Sequence, residues 1–224
     1  MRRLLCALLA AAPAAQAARP FVTDDARIVD KGGCQIETFF KRQHRFEESE
    51  FWFLPACNPL GVELTLGGIW VNSMPFGDTR TALMQGKMLL KPLETNGAGF
   101  ALTLGALRVA PFQARSVTSP YFNAIGSFSI ADDRVILHTN LGGVHDKVAN
   151  LSRGTWGVGA EVLLSPPRWI GIIETYGQRG DKPTLHTGLR IWIVPNRMQV
   201  DTTLGFQNSS RERRFHSVGL RVLW

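Results

Sequence analysis

The sequence predicts an all-β fold: a transmembrane, antiparallel, up-and-down β-barrel of about 12 strands after a cleaved signal peptide. Three observations predict it. Apolar and polar residues alternate with a period of two in one segment after another, short and long connectors alternate, and no stretch offers the roughly 18 uninterrupted apolar residues of a membrane-spanning helix. The composition agrees, because 45% hydrophobic and 19% charged residues exclude a disordered chain, and 22 glycines and 12 prolines disfavour a helical bundle.

Residues 1–17 have the features of a secretory signal peptide. Arg2 and Arg3 form a charged start, residues 4–12 are apolar, and the small residues Ala15 and Ala17 form a cleavage site. Cleavage after Ala17 leaves residues 18–33, predicted to form a short N-terminal periplasmic segment, and residues 34–224, predicted to form the outer-membrane β-barrel.

The exported chain keeps two cysteines, Cys34 and Cys57. An even number of cysteines in an exported protein predicts a disulfide, and two separate buried thiols are the alternative. The two residues flank the first predicted hairpin, so the role of a bridge there is structural.

The strands are predicted from their alternation. Nine segments have one frame that is almost wholly apolar or glycine, as expected of a lipid-facing surface. They are residues 62–70, 82–90, 100–106, 122–130, 135–141, 156–164, 185–193, 198–206 and 216–224. Residues 35–45 form the first strand, residues 51–54 are an aromatic run without a clear frame, and residues 169–176 are apolar in both frames except at Glu174 and Thr175. The total is twelve strands.

The connectors give an independent indication, because outer-membrane barrels have short periplasmic turns and longer outer loops. The short set is residues 55–59, 91–97, 131–133, 166–167 and 195–196, and it alternates with a longer set at 46–50, 72–78, 110–120, 144–153, 178–183 and 208–214. An even strand count then places both termini in the periplasm and the protein in the bacterial outer membrane. A soluble β-sandwich is the alternative, but it does not explain the alternating connectors.

The inward frames are predicted to line the lumen with charged and polar residues. These are Glu37, Lys41, Glu63, Lys87, His138, Asn140, Glu161, Glu174, His186, Arg190, Asp201 and Arg221. Acidic and basic side chains nearly balance, which fits either a network that nearly fills the bore or a constriction that selects solutes.

We expect no catalytic residues, no metal site and no cofactor. His138 with Asn140, and His186 with Glu174, share the lumen, but neither pair has an evident serine nucleophile, and Ser127 is remote from the neighbours of His186. Phosphate-loop, Cys-x-x-Cys, His-Glu-x-x-His and EF-hand spacings are absent from the sequence. An outer-membrane lipid-modifying enzyme and a closed structural barrel without transport remain the alternatives to a channel.

Basic residues give the chain a formal charge of +7, but outside Arg211, Arg213 and Arg214 they are scattered. Nucleic-acid binding requires basic residues gathered on one face, so we expect no nucleic-acid partner. The three arginines belong to the last predicted outer loop, where they either contact lipopolysaccharide phosphates or are simply solvated.

The carboxyl-terminal part of the chain resembles known barrels. The last strand, with Val218, Leu220, Val222 and the terminal Trp224 in one frame, resembles the signal by which bacterial outer-membrane barrels engage the barrel-assembly machinery. The stretches ETYG at 174–177, LHTGLR at 185–190 and QVD at 199–201 resemble the closing portion of the transporter family named for the meta-pathway of phenol degradation, and LHTNLG at 137–142 is similar to a strand of related barrels.

The resemblance covers about the last 90 residues. It implies an outer-membrane channel or transporter for passive passage of small, aromatic or hydrophobic solutes. The implied partners are the small-molecule solute, outer-membrane lipids and lipopolysaccharide, with periplasmic chaperones and the barrel-assembly machinery during biogenesis.

Overall fold

The strands of the molecule form one closed barrel. The computed structural model describes residues 22–43, 48–74, 77–110, 118–147, 149–166, 168–207 and 214–224. Each of its twelve strands pairs antiparallel with its chain neighbours, and the first strand closes the barrel against the last. The strands are β1 (Cys34–Gln43), β2 (Glu48–Cys57), β3 (Val62–Asn72), β4 (Thr79–Lys91), β5 (Ala98–Val109), β6 (Thr118–Ile130), β7 (Val135–Asp146), β8 (Leu151–Ser165), β9 (Trp169–Gln178), β10 (Thr184–Val194), β11 (Met198–Gln207) and β12 (Arg214–Leu223).

The predicted twelve-stranded antiparallel barrel is confirmed. The predicted signal peptide, residues 1–17, lies outside the described residues, as do Arg211 and Arg213 of the last loop. Within the described ranges, no helix has the length and apolar character needed to cross a membrane.

Side chains alternate between an apolar outer surface and a largely buried inner surface. Leu66, Met84 and Leu141 are among the exposed large apolar residues of the outer surface. The aromatic run in β2, whose frame the sequence left open, is also divided: Trp52 points inward and is 1% exposed, whereas Phe51 is 44% exposed. This period of two follows from the pleat, which sends successive side chains to opposite faces.

The barrel closes where the last residue meets the first strand. Cys34 and Trp224 exchange main-chain hydrogen bonds of 2.9 and 3.0 Å. Cys34 also faces Cys57 across β1 and β2, and the predicted disulfide joins them, with Cα atoms 4.0 Å apart. We call the end of the barrel that carries Cys34, Cys57 and Trp224 the terminal end, and the opposite end the far end.

Two neighbouring turns at the terminal end are joined to each other. The Asn96 side-chain amide donates to Asp132 Oδ1 at 2.7 Å, and the Thr95 hydroxyl donates to Asp133 Oδ2 at 2.6 Å. Hydrogen bonds from the Ser129 and Thr95 hydroxyls lower the pKa of Asp133 from its ordinary value, because they stabilise the carboxylate. These bonds connect the β4–β5 turn to the β6–β7 turn.

An apolar cluster fills part of the interior in the far half of the barrel. Seven consecutive strands contribute inward residues to it: Phe39, Trp52, Leu54, Ile69, Leu83, Leu107, Tyr121 and Val144. Phe39 and Trp52 stack with ring centroids 5.0 Å apart. The far half is therefore packed on the β1–β7 side, much as the core of a soluble protein is packed.

Residues 22–33, which we call the N-terminal segment, run inside the barrel from mid-lumen to the terminal end. Thr23, Asp24, Asp25, Ala26 and Val29 are all buried there. The chain then reverses at Gly32, whose φ of 85° favours glycine, and enters β1.

This placement differs from the sequence prediction of a short periplasmic segment at residues 18–33, because the described part lies within the lumen. The physical reason is the set of polar partners that the wall offers to this segment. Those partners belong to strands far along the chain, so the local pattern gave no sign of them.

Candidate functional site

The barrel interior is the candidate site, because it collects most of the buried charge of the described molecule. The twelve residues predicted to line the lumen all lie on inward-facing strand positions. Ten are buried: Glu37, Glu63, Lys87, His138, Asn140, Glu161, Glu174, His186, Arg190 and Asp201. Lys41 and Arg221 are less buried, with 24% and 17% of their side chains exposed.

Some of these charges are paired within the wall itself. Arg190 joins three strands, since its Nε lies 2.7 Å from Asp201 Oδ1 and its Nη1 lies 2.5 Å from Glu161 Oε1. Lys41 pairs with Glu50 at 2.7 Å near the far end. Such pairs satisfy buried charges wherever the lumen is closed to water.

Other wall groups bind the main chain of the N-terminal segment. Glu174 accepts the N–H groups of Val22 and Thr23, one on each carboxylate oxygen, at 2.8 and 2.6 Å. The Asn140 side chain both accepts from the N–H of Asp24, at 2.7 Å, and donates to its carbonyl, at 2.8 Å. An amide side chain that makes both contacts to one residue imitates a neighbouring strand.

The same pattern continues toward the terminal end. The Ala26 N–H donates to Ser127 Oγ at 2.8 Å, and the Val29 N–H donates to Glu63 Oε2 at 2.8 Å. Asn58, just past β2, donates its side-chain amide to the Val29 carbonyl at 2.7 Å. The segment thus follows the wall through its backbone over most of its described length.

The side chains of the N-terminal segment add three ionic contacts with the wall. Lys87 Nζ lies 2.6 Å from Asp24 Oδ1 and 3.4 Å from Asp25 Oδ1, and all three groups are buried. Arg27 lies 3.4 Å from Glu161. Charge-assisted hydrogen bonds of this kind are roughly twice as strong as neutral ones, so they hold the segment in register.

Two histidines stand in hydrogen-bonded chains behind the N-terminal segment. His186 Nδ1 lies 2.6 Å from Glu174 Oε1, and its Nε2 lies 2.6 Å from Thr203 Oγ1. His138 Nδ1 lies 2.8 Å from Ser127 Oγ, which is its register partner across β6 and β7.

The sequence reasoning missed the Ser127–His138 pair, because it compared Ser127 with His186. The register of adjacent strands is the signal that finds the pair. Ser127 and His138 are both fully buried, and the Ser127 hydroxyl already accepts the Ala26 N–H. The pair therefore helps to hold the N-terminal segment.

A small pocket lies beside the start of the described N-terminal segment. Val22 and Thr23 line it together with wall residues of β6–β9, among them Asn123, Asn140, Thr155 and Tyr176. It lies opposite the apolar cluster, on the side of the barrel where the far half is polar. Where the structure describes the chain, no group of three or more His, Cys, Asp or Glu side chains is placed to hold a metal ion.

The sequence reasoning also missed Asp24, Asp25 and Arg27, which carry the charge of the N-terminal segment. A run of charged residues just before a predicted barrel is the one signal that the sequence offered. It could not show that the partners Lys87 and Glu161 lie 63 and 134 positions away.

A closed twelve-stranded antiparallel barrel with an apolar outer surface and buried charges in its lumen has the fold of outer-membrane porins. The following three are among the solved structures that share this fold. The KdgM porin in complex with disordered oligogalacturonate has a TM-score of 0.61 at 8% identity and covers 84% of this chain and 98% of its own. The NanC porin has a TM-score of 0.59 at 8% identity with the same coverages, 84% and 98%. The Acinetobacter baumannii outer membrane protein Omp33 has a TM-score of 0.51 at 9% identity and covers 87% and 99%.

A family model described as "Uncharacterised conserved protein UCP029691" matches residues 4–224, so the chain belongs to that family. No curated protein sequence matches the chain. The resemblance to the transporter family named for the meta-pathway of phenol degradation stays a prediction, since the matching model is a different one.

Proposed function

We propose that the protein is an outer-membrane channel for small polar solutes and that its N-terminal segment closes the lumen. The observation that supports this most is the nature of the contacts between segment and wall. They are predominantly hydrogen bonds and ion pairs, from the Glu174 contacts at mid-lumen to the Glu63 contact near the terminal end. A plug held in this way can exchange its contacts for water.

The energetics favour a reversible closure. Each protein–protein hydrogen bond contributes only about 1 kcal/mol net, because water replaces it when the contact opens. Apolar packing would be harder to undo, and the N-terminal segment contributes little of it: Ala26 packs against Ala101 and Ile125. The segment is also joined to β1 through Gly32 and Gly33, so it can leave the lumen without leaving the molecule.

The proposed path follows the polar side of the barrel. It passes the pocket lined by Asn123, Asn140, Thr155 and Tyr176 and continues through the space that the N-terminal segment now fills. The buried charges of the lumen, among them Lys87, Glu161 and Arg190, favour polar solutes over the aromatic or hydrophobic solutes implied by the phenol-pathway resemblance. The KdgM porin, which shares the fold, was solved with oligogalacturonate, a polar acidic oligomer.

The membrane setting is part of the same proposal. Residues 1–17 act as the signal peptide, the chain from residue 18 is the mature form, and both termini face the periplasm, where the N-terminal segment closes the channel. Val218, Leu220, Val222 and Trp224 form the signal for the barrel-assembly machinery, and periplasmic chaperones deliver the chain. Outer-membrane lipids and lipopolysaccharide contact the apolar outer surface.

We propose no enzymatic activity, since Ser127 and His138 are buried against the N-terminal segment.

The test compares two purified, folded proteins in planar lipid bilayers: the chain from residue 18 and a chain from residue 30, which lacks most of the N-terminal segment. The shorter chain should conduct steadily, whereas the longer one should open rarely and briefly. Heat-modifiable gel mobility establishes that both are folded barrels.

Two outcomes contradict the proposal. If the folded shorter chain carries no current, the protein is a closed structural barrel. Hydrolysis of phospholipid or lipid A that His138→Ala abolishes would instead favour a lipid-modifying enzyme. Should the shorter chain fail to fold, the full chain with Asp24→Asn and Asp25→Asn tests the same point, since it keeps every wall residue.

A further inference from the structure

The way in which the wall contacts the N-terminal segment points to a binding site for a particular class of molecule. We infer that the lumen wall binds short acidic peptides and that the N-terminal segment is a tethered occupant of this site. The inference rests on the proposed function in one respect only: the segment must be able to leave the lumen.

The first step concerns the peptide backbone. Glu174, Asn140, Ser127 and Glu63 accept the main-chain N–H groups of Val22, Thr23, Asp24, Ala26 and Val29, and Asn140 also donates to a main-chain carbonyl. Five backbone N–H groups bound by side chains of the wall amount to recognition of a peptide backbone. In known peptide-binding sites, backbone hydrogen bonds supply affinity in the same manner.

The second step concerns side chains, which give such sites their specificity. Lys87 lies between the carboxylates of Asp24 and Asp25, at 2.6 and 3.4 Å, so it favours two successive acidic residues. Gly157 makes room for Thr23, since a Cβ there would lie 2.7 Å from Thr23 Oγ1. Glu161 receives Arg27 at 3.4 Å.

The third step concerns what the wall lacks when the N-terminal segment leaves. Arg190 keeps Asp201 and Glu161, and Lys41 keeps Glu50, because these pairs lie within the wall. Lys87 loses both aspartates, and Glu174 loses two N–H donors, although it keeps His186. The groups released are thus one ammonium, several N–H acceptors and the Glu161 oxygen that contacts Arg27, the set that a peptide with two successive acidic residues and a nearby basic residue satisfies.

A small pocket lined by Val22 and Thr23 lies at the start of the described segment, the position where a free peptide would begin. A free peptide competes with a tethered one, whose effective concentration is in the millimolar range when its linker is short. A barrel without the N-terminal segment is therefore the sensitive form for a binding measurement.

The test is isothermal titration calorimetry on the folded chain from residue 30, with the peptide VTDDARIV, residues 22–29. This peptide should bind, and its form with Asp24→Asn and Asp25→Asn should bind at least tenfold more weakly. The barrel variant Lys87→Gln should bind both peptides equally weakly, because the ammonium that distinguishes them is gone. Lys91→Gln, at an exposed lysine that ends the same strand β4, is the matched control and should leave binding unchanged.

The inference is overturned if a scrambled peptide of the same composition binds as well, if the asparagine form binds equally, or if nothing binds. Calorimetry needs no current, so its failure is distinct from failure of the channel. A barrel that conducts but binds no peptide refutes only this inference, and one that binds but never conducts refutes only the proposed function.

If the chain from residue 30 does not fold, the intact chain provides the measurement. The peptide at about 5 mM, above the effective concentration of a tethered segment, should speed hydrogen exchange at the amides of Thr23, Ala26 and Val29, whereas the asparagine form should not. Equal exchange rates with both peptides would overturn the inference.

Discussion

The two halves of the barrel interior are built in different ways. In the far half, Phe39, Trp52, Ile69 and other apolar side chains from β1–β7 pack directly on one another. In the terminal half, polar and charged side chains pack around the N-terminal segment. The strands alone provide the packing of the apolar cluster, whereas polar side chains of the terminal half have their partners in the N-terminal segment.

Because of this difference, the stability of the barrel and the closure of its lumen depend on different residues. The apolar cluster gains free energy from burial, which does not depend on where the N-terminal segment lies. Several groups of the polar half have their partners in the N-terminal segment, and these groups need water or another ligand when the segment is absent. Substitutions in the two halves should therefore have different effects, and four of them test this.

The largest effect on stability is expected from Trp52→Ala. Trp52 is 1% exposed and central to the apolar cluster, so its truncation should lower the free energy of unfolding by about 4 kcal/mol. Urea unfolding followed by gel mobility measures this. Trp70→Ala, on the outer surface of neighbouring β3, is the control and should cost less. Hydrogen exchange in the N-terminal segment should stay slow in both, and fast exchange in Trp52→Ala would show that the two halves are not independent.

Lys87→Gln should have the largest effect on closure. It leaves the buried carboxylates of Asp24 and Asp25 without their ammonium, and breaking a buried ion pair costs about 3 kcal/mol or more. The open probability in bilayers should rise about a hundredfold, while the apolar half stays intact. Lys41→Gln makes the same chemical change at a lysine that pairs with Glu50 within the wall. It should change neither the open probability nor the packing of the apolar cluster. A Lys87→Gln protein that remains closed would show that the ion pair does not hold the N-terminal segment.

The sequence was sufficient to predict the wall but not what fills it. The alternation of inward and outward side chains along a strand is visible in the sequence. Arg190 and Asp201 could therefore be assigned to the inner face without knowing their partners. Their pairing also followed from adjacent strands, since they are register partners in β10 and β11.

The contents of the barrel depend on contacts that no local pattern encodes. Thr23 lies 151 positions from Glu174, and the segment between residues 22 and 33 has no regular period of its own. The inward apolar residues were missed for a related reason: the aromatic run in β2 is apolar in both frames, and only pairing with Phe39 in β1 shows that Trp52 faces inward.

Removal of the disulfide should have an intermediate effect that is confined to the wall. Cys34→Ser with Cys57→Ser opens a cross-link between positions 23 apart, which should cost about 2 to 3 kcal/mol of unfolding free energy. The N-terminal segment should stay docked, because its contacts with Glu174, Asn140 and Lys87 lie deeper in the barrel. Fast exchange at Thr23 in this variant would instead assign the disulfide a part in closure.

The smallest effect is expected from Glu174→Gln, and it should be local. The amide keeps one acceptor oxygen, so one of the two N–H groups, from Val22 or Thr23, loses its partner, and both lose the charge assistance. The expected loss is about 1 to 2 kcal/mol, or roughly a tenfold faster hydrogen exchange at these two amides. Val29, held by Glu63 at the other end, is the internal control and should exchange as before. Equally accelerated hydrogen exchange at Val29 would mean that the N-terminal segment leaves as one unit. Closure would then be a two-state event, and the segment would not detach stepwise from mid-lumen.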